Sequence, residues 1–256
     1  MSKNQHSAQD LRVSQNFLTS RAVLRRIVRL SSITKDDCVV EIGAGKGHIT
    51  RQLGEIGGQV LAVEYDSALA QRLTRDFAGN AGVRIIHADF LRWNLPKTPY
   101  KVFANIPFSR TSEILRKLTQ AKNPPQEAWL VMEKGAAKRF LGKPQESAAS
   151  LLCKPWFDAE IVYHFRREDF HPAPRVDTVL LYLTHKKTPD IPMQQRGLYT
   201  HFITDCLHSP QGAAKHLTKK QISTALRLAG LPQIGTARET LYIQWLCLFR
   251  CYAERH

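Results

Sequence analysis

The stretch CVVEIGAGKGHI, residues 38–49, places a short apolar run directly before a glycine-rich turn. An apolar run of this length, followed by a turn and then a helical pattern, indicates a strand, a tight turn and a helix. Glycines at 43, 45 and 47 let the backbone approach a ligand closely, and the start of the helix adds partial positive charge. The spacing G-x-G-x-G is neither the dinucleotide form G-x-G-x-x-G nor a P-loop. The stretch therefore predicts a nucleoside-cofactor site on an α/β sheet.

Apolar runs and helical patterns alternate after this stretch. The further predicted strands of this series are residues 60–63, 84–87, 100–104 and 128–132. Such alternation is typical of βαβ units and of a mostly parallel sheet. Two more runs, 157–165 and 176–184, have no helical pattern between them, which predicts an antiparallel hairpin that closes the sheet. We therefore expect an α/β fold with a mostly parallel, seven-stranded, Rossmann-like sheet and an antiparallel last hairpin.

The chain changes character after residue 186, where strand patterns end. Helical patterns cover residues 192–208, 216–229 and 237–252, with Gly230 and Pro232 as breakers. We place a domain boundary here: a catalytic domain over residues 1–185 and a small, basic, all-α domain over residues 186–256. The basic character of the second domain suits a polyanionic partner, with nucleic acid as the leading candidate.

Composition restricts the class of protein. Among 256 residues, 37 are Lys or Arg and 22 are Asp or Glu, which gives a net charge of +15, and 43% are apolar. The apolar fraction excludes a wholly disordered chain, and no window of about 18 residues lacks charge, so we expect no membrane span. The amino-terminal residues contain no apolar run typical of a signal peptide, and the five cysteines form no C-x-x-C pair. We expect a cytoplasmic protein with reduced thiols and no metal, whose partner is a polyanion: nucleic acid, or alternatively an anionic membrane.

Four residues suited to ligand binding follow the predicted strands, each at the point where a strand ends: Gly43, Glu64, Asp89 and Asn105. Ligands of open α/β sheets bind at this edge. The Glu64 carboxylate can accept hydrogen bonds from ribose hydroxyls, and Asp89 can accept one from an adenine amino group. An adenosine-shaped site without a pyrophosphate loop favours S-adenosylmethionine over NAD as the cofactor.

The tetrapeptide Asn105-Ile106-Pro107-Phe108 indicates the chemistry. It resembles the [Asn/Asp/Ser]-Pro-Pro-[Tyr/Phe] motif of methyltransferases that modify exocyclic base nitrogens. The N6 lone pair of adenine is delocalised into the ring and is a poor nucleophile. The side-chain carbonyl of Asn105 and the main-chain carbonyl of Ile106 can accept both N6 hydrogens and localise that lone pair. Pro107 stiffens the turn, and Phe108 offers a face on which a flipped base can stack.

Two further segments fit the same site. In Ser14–Leu18, SQNFL, the Asn16 residue and the backbone of Leu18 could reach the methionine end of the cofactor. The loop Phe170–Val176, FHPAPRV, is stiffened by prolines, and Phe170 could enclose the base opposite Phe108. A hairpin loop with a half-buried phenylalanine is an equal alternative for Phe170 if the loop is considered alone.

With these residues in place, the chain resembles the erythromycin-resistance (Erm) 23S rRNA adenine-N6 methyltransferases, of the wider KsgA/Dim1 rRNA dimethyltransferase family. The resemblance covers nearly the whole chain and rests on Ser14–Leu18, Glu41–Gly47, Glu64, Ala88–Phe90, Asn105–Phe108 and Phe170–Val176. The expected cofactor site comprises Asn16, Leu18, Gly43, Ala44, Gly45, Gly47, Glu64, Tyr65, Asp89, Phe90 and Asn105.

The resemblance implies transfer of one or two methyl groups from S-adenosylmethionine to an unpaired adenine of 23S rRNA at the peptidyl transferase centre. Such methylation would give resistance to macrolide, lincosamide and streptogramin B antibiotics. We expect a monomer whose basic amino-terminal helix and carboxy-terminal tail flank the Asn105 cleft. The alternatives are a 16S rRNA dimethyltransferase, a non-catalytic nucleic-acid binder on the same fold and, more distantly, an NAD dehydrogenase.

Overall fold

A computed structural model describes residues 16–237 and 239–254 of the protein; Ser14 and Gln15 of the amino-terminal motif therefore lie outside the described residues. The chain divides into two compact units. The first contains the residues up to Ala137 and the segment Ala159–His185. The second contains Lys138–Asp158 and the residues from Lys186 onward.

The first unit is built on a seven-stranded sheet, with a separate short pair, β1–β8, beside it. The strands are β1 Phe17–Leu18, β2 Cys38–Ile42, β3 Gln59–Glu64, β4 Val83–His87, β5 Lys101–Asn105, β6 Glu127–Glu133, β7 Phe157–His164, β8 Phe170–His171 and β9 Thr178–His185. The order across the large sheet is β4-β3-β2-β5-β6-β9-β7. The pairs from β4 to β6 are parallel and β9 is antiparallel to β6, which confirms the predicted Rossmann-like sheet. The last strand, β9, lies between β6 and β7, so β7 forms one edge of the sheet and β4 forms the other.

Four helices accompany the parallel strands; the first precedes β2, and each of the others connects two of these strands. They are α1 Arg21–Arg29, α2 His48–Ile56, α3 Ser67–Asp76 and α4 Thr111–Gln120. Ser20 caps α1 through its hydroxyl, which accepts from the amide of Val23, and the Asp66 carboxylate caps α3. Each of these polar residues directly precedes an apolar helical pattern, which is the position that favours an N-cap.

A two-stranded pairing closes the first unit near its amino terminus. Strand β1 pairs antiparallel with β8, with Leu18 opposite Phe170. The amides of Thr19 and Ser20 both donate to the main-chain oxygen of Asp169, at 2.9 and 3.2 Å. These bonds hold the segment that precedes α1 against a loop about 150 residues later in the chain.

The second unit is helical and has its own aromatic core. Its helices are α6 Ala148–Cys153, α7 Arg196–His208, α8 Lys219–Leu228 and α9 Tyr242–Ala253; a shorter helix, α5 Lys134–Phe140, precedes α6 across the unit boundary. The domain boundary predicted at residue 186 assigned residues 138–158 to the first domain, which contains the sheet. The structure places them here because the Tyr199 hydroxyl donates to the Leu151 carbonyl at 3.0 Å and its ring packs edge-on against Trp156.

No helix in residues 16–237 and 239–254 is long and apolar enough to cross a membrane. All five cysteines are free thiols.

A polar cluster stabilises the amino ends of the central strands, at the edge away from the predicted site. The Lys101 ammonium lies 3.0 Å from the Asp37 carboxylate and 3.2 Å from that of Glu127, and it donates to Ser32. All three charged side chains are less than one-fifth exposed. Burial alone would raise the pKa of both carboxyls. Hydrogen bonds, including those from Lys101, hold the pKa of each below its ordinary value.

We expect Lys101→Met to lower the free energy of unfolding by about 2 to 3 kcal/mol at pH 7, because two partly buried carboxylates lose their cation. Carboxyls whose pKa is lowered by folding contribute stability above their unfolded pKa and lose it as the pH falls through the folded value. The difference should therefore shrink below about pH 4. Urea unfolding at pH 7 and pH 3 measures it, with the exposed Lys35→Met as the control. Equal stabilities of the two variants at pH 7 would contradict the role of the cluster.

Candidate active site

A cavity of about 430 Å³ lies at the carboxyl ends of β2–β5. Five predicted cofactor-binding residues line it: Gly43, Glu64, Tyr65, Asp89 and Phe90. Pro107 of the tetrapeptide also lines it, together with Ser67, Leu91, Arg110 and Ile114, which had no predicted role. The volume falls within the usual range for small-molecule sites, roughly 300–1,000 Å³.

The glycine turn opens onto this cavity at Gly43. Its φ of +71° lies in the left-handed region, and a Cβ atom built there would meet no other atom within 4 Å. The space beside Gly43 is therefore open to a ligand approaching the main chain. Ala44 and Gly47 line neither this cavity nor the smaller one described below. Gly47 is the N-cap of α2, and a Cβ atom built there would come within 2.7 Å of the Leu73 side chain. Their positions indicate a structural role in the turn.

The Glu64 carboxylate joins two turns beneath the cavity. One oxygen accepts from the amide of Gly45 at 2.7 Å, and the other accepts from the amide of Asp66 at 2.8 Å. The side chain is only 2% exposed, so these bonds hold it in one position. Each carboxylate oxygen has a second lone pair, which leaves acceptor capacity for a ribose hydroxyl. The geometry therefore fits the predicted ribose contact.

A second carboxyl, Glu41 of β2, is buried nearby and forms no ion pair with any residue that the structure describes. Burial and the charge of the neighbouring Glu64 outweigh the hydrogen bonds from Thr50 and together raise the pKa of Glu41 to about 8. At neutral pH Glu41 is therefore mostly protonated. This leaves Glu64 as the charged carboxylate of the pair, directly under the glycine turn.

Hydrogen bonds and a cation–π contact fix the loop that carries Asp89. An Asp89 oxygen accepts from the amide of Leu91 at 2.9 Å. The Lys117 ammonium of α4 donates to the carbonyls of Leu91 and Trp93 and lies 5.1 Å from the centre of the Phe90 ring. These contacts hold Asp89 and Phe90 at the cavity wall. The contact between Asp89 and an adenine amino group stays a prediction.

A smaller cavity, of about 40 Å³, adjoins the first. Its lining includes the tetrapeptide and the predicted amino-terminal residue: Asn16, Phe17, Gly43, Gly45, Asn105, Ile106, Pro107 and Phe108. Gly43 and Pro107 line both cavities. The structure thus places the tetrapeptide directly beside the predicted cofactor site, as a transfer reaction between the two would need.

The Asn105 side chain has a fixed orientation. Its Nδ2 donates to the main-chain oxygen of Asn16 at 2.8 Å. A carbonyl can only accept, so this bond determines which amide atom faces Asn16. The amide oxygen is therefore the atom left to accept from a substrate. Asn16 contributes through its backbone to the orientation of Asn105, a role that no sequence motif indicated.

Two aromatic rings border the small cavity. Phe108 is half-buried and follows Pro107, as predicted. Phe17 borders it from the other side and packs against Gly45, where a Cβ atom would come within 2.9 Å of the ring. The sequence contains Phe17 within the amino-terminal motif, but nothing in its spacing distinguished it from its neighbours.

The structure does not bring Phe170 to either cavity. Phe170 is 4% exposed, belongs to the hydrophobic core and packs edge-on against Phe165 at 5.4 Å between ring centres. Its strand partner Leu18 is equally buried. In this structure Phe170 therefore offers no face to a base, and of the two readings of the loop the buried one applies. The side chain of Ile106 is also buried, so its predicted contribution can come only from the main chain.

Comparisons with known proteins identify the family of this chain. Residues 7–231 match the sequence model of the family described as ribosomal RNA adenine dimethylase. A Bacillus anthracis protein described as rRNA adenine N-6-methyltransferase is 37% identical over 94% of this chain and 86% of its own length. An Escherichia coli protein of the same description is 33% identical over 95% and 96%. The crystal structure of the 23S rRNA methyltransferase ErmE matches with a TM-score of 0.81 at 26% identity, over 93% of this chain and 100% of that one. The chain therefore belongs to the ribosomal RNA adenine dimethylase family.

Proposed function

We propose that this protein is an S-adenosylmethionine-dependent rRNA adenine-N6 methyltransferase that acts on a flipped-out adenine of 23S rRNA. The orientation of Asn105 carries the proposal: a fixed amide presents its oxygen beside a small cavity that adjoins a nucleoside-sized one. Membership in the family and the descriptions of the relatives support an rRNA adenine as the substrate.

The residues of the first unit suit the larger cavity to an adenosine-based cofactor. Glu64 would bind the ribose, Asp89 the adenine amino group, and the open turn at Gly43 would admit the rest of the molecule. S-adenosylmethionine, when bound, supplies a methyl group on a positively charged sulfur. Because Glu41 is mostly neutral, the site has one carboxylate charge under the turn.

Catalysis then rests on positioning. The Asn105 amide oxygen and the Ile106 carbonyl accept the two N6 hydrogens and direct the nitrogen lone pair towards the methyl carbon. With the cofactor bound, transfer would form the N6–methyl bond and break the methyl–sulfur bond, leaving a neutral thioether, and the nitrogen would then lose one proton to water. Because water can take that proton, the reaction needs no general base from the protein. Orientation and fixed acceptors are the effects that the chain supplies.

Two observations favour 23S over 16S rRNA. The tetrapeptide is Asn-Ile-Pro-Phe, where the 16S branch commonly has Asn-Leu-Pro-Tyr, and a matching crystal structure at 26% identity is that of a 23S enzyme. Methylation at the peptidyl transferase centre would give macrolide, lincosamide and streptogramin B resistance. We further propose that the enzyme acts as a cytoplasmic monomer. Residues 186–256 have 10 Lys or Arg and 4 Asp or Glu, which supports RNA binding by the helical unit.

Primer extension on rRNA from cells with and without the protein tests the proposal. We expect a new stop at one adenine of 23S rRNA and reduced erythromycin susceptibility. Cells that express Asn105→Ala are the matched control and should show neither. A stop in 16S rRNA alone would assign the protein to the 16S dimethyltransferases instead.

Phe108 provides a test of base stacking. We expect Phe108→Ala to lower kcat/KM about 10- to 100-fold, because stacking on an aromatic ring contributes roughly 1–3 kcal/mol per base. Phe108→Tyr keeps the aromatic face and should stay within about threefold of the wild type. Steady-state kinetics on a 23S fragment measures both variants. Equal losses in the two variants would argue against stacking.

A further inference from the structure

Helix α1 exposes a stripe of arginines. Arg21, Arg25 and Arg29 are all exposed and follow one another at intervals of four residues, a rise of about 6 Å per step. The helix contains no acidic residue. Arg26 is exposed as well but lies outside this i,i+4 series, and its guanidinium lies 5.4 Å from the centre of the Tyr163 ring. Like charges at i,i+4 destabilise an isolated helix, so the stripe is unfavourable unless an anion binds to it.

Two more cations extend this charge to the small cavity. The Lys46 ammonium lies 4.7 Å from the centre of the Phe17 ring, which borders that cavity. Arg51 is exposed one turn into α2, and Arg21 begins α1 four residues after Phe17. Burial and then the charges of Lys46, Arg51, Arg21 and Arg72 lower the pKa of His48, so these cations act on the same imidazole.

The cations of this surface have no acidic partners in the described part of the chain. None of Arg21, Arg25, Arg29, Lys46 and Arg51 forms an ion pair within 4.0 Å there, whereas Arg72, Lys101 and Lys134 of the same unit each do. A concentration of one sign of charge on a folded surface raises the local potential and attracts a polyanion. The Lys46 ammonium lies against the Phe17 ring, which borders the small cavity, and this contact indicates which part of a substrate the surface would meet.

We propose that Arg21, Arg25, Arg29, Lys46 and Arg51 form a phosphate-binding surface for the RNA strand that flanks the target adenine. The inference rests on the proposed function for the identity of the RNA, but the surface itself recognises the backbone. Contacts of this kind set the position of the strand and do not depend on its sequence. The first unit would therefore bind RNA through its own surface, in addition to any binding by the helical unit.

Salt dependence of RNA affinity tests the surface. Dissociation constants are measured between 50 mM and 400 mM KCl for Arg21→Gln, Lys46→Gln and the double variant. The probes are a 23S fragment around the peptidyl transferase centre and an unrelated single-stranded RNA of equal length. Each lost phosphate contact should reduce the slope of log Kd against log salt concentration by about 0.7 to 0.9, and the double variant by about twice that. The change should be the same for both RNAs.

Two controls keep the result specific. Lys35→Gln removes an exposed cation in the loop before β2, at the opposite edge of the sheet, and should leave the slope unchanged. Lys46→Arg should restore the slope that Lys46→Gln loses. The kcat at saturating 23S fragment should stay near the wild-type value while KM rises, since the surface only binds the strand.

The outcomes separate this inference from the proposed function. If the slopes of log Kd against log salt concentration are unchanged in the double variant, the proposed phosphate-binding surface is wrong, even if the wild type methylates 23S rRNA. Weaker S-adenosylmethionine binding by Lys46→Gln with unchanged RNA binding would also overturn it and assign Lys46 to the cofactor. If the wild type fails to methylate the 23S fragment, the proposed function fails, and reduced slopes on the unrelated RNA would still support the surface.

Discussion

Asn105→Ala is expected to lower kcat for methyl transfer about 10²- to 10³-fold, the usual cost of losing one fixed polar group that stabilises a transition state. The alanine removes the oxygen that accepts an N6 hydrogen and the amide that Asn16 orients. RNA affinity should stay within about twofold, since the phosphate contacts that supply most of the binding energy are untouched. Single-turnover kinetics with saturating enzyme separates the chemical step from binding.

Two companion variants sharpen this result. Asn94→Ala removes an exposed asparagine of the same unit and should have no effect. Asn105→Asp keeps an acceptor but cannot donate to the Asn16 carbonyl when ionised. Its kcat should therefore lie between those of the wild type and the alanine variant. Full activity of Asn105→Ala would exclude the proposed role of this residue.

Glu64→Gln is expected to weaken S-adenosylmethionine binding about 10- to 100-fold, because hydrogen bonds to a charged acceptor are worth roughly 1.5–3 kcal/mol. The carboxylate accepts from the amides of Gly45 and Asp66, and a glutamine has only one acceptor oxygen for the two. The amide NH₂ would face a main-chain donor at a buried position. Isothermal titration calorimetry measures the affinity, and kcat at saturating cofactor should change little.

Glu41→Gln is the informative comparison for Glu64. Because burial raises the pKa of Glu41 to about 8, the side chain is mostly neutral at pH 7 and glutamine replaces it without loss of charge. Cofactor affinity should stay within about threefold of the wild type. Glu55→Gln, on the exposed side of α2, controls for a general effect of charge. Equal effects at positions 41 and 64 would contradict the assignment of the charged role to Glu64.

Local features of this molecule were predictable from the sequence. The strand that ends at Ile42, the caps of Ser20 and Asp66 and the ligand residues at the strand ends all depend on neighbours in the chain. Parallel strands bring their carboxyl ends to one edge, so Gly43 and Asp89 could be expected to meet without knowledge of the packing.

Features that depend on distant pairing were not predictable. Nothing near Phe170 shows that β8 pairs with β1 and buries the ring against Phe165. The position of β9 between β6 and β7 likewise follows from the packing of the whole sheet. Residues 138–158 carry helical patterns that suit either unit. Their place in the second unit depends on the hydrogen bond from Tyr199 to Leu151, which joins segments 48 residues apart in the chain.

The bond that orients Asn105 ends on a main-chain atom, the carbonyl oxygen of Asn16. Every amino acid carries that atom, so the orienting contact survives any substitution at position 16 that leaves the backbone in place. Alanine scanning reports on side chains and would not detect this contribution. An amide-to-ester replacement of the bond between Asn16 and Phe17 makes the same oxygen a weaker acceptor and leaves both side chains intact. The contact is therefore accessible to backbone chemistry and robust against point mutation.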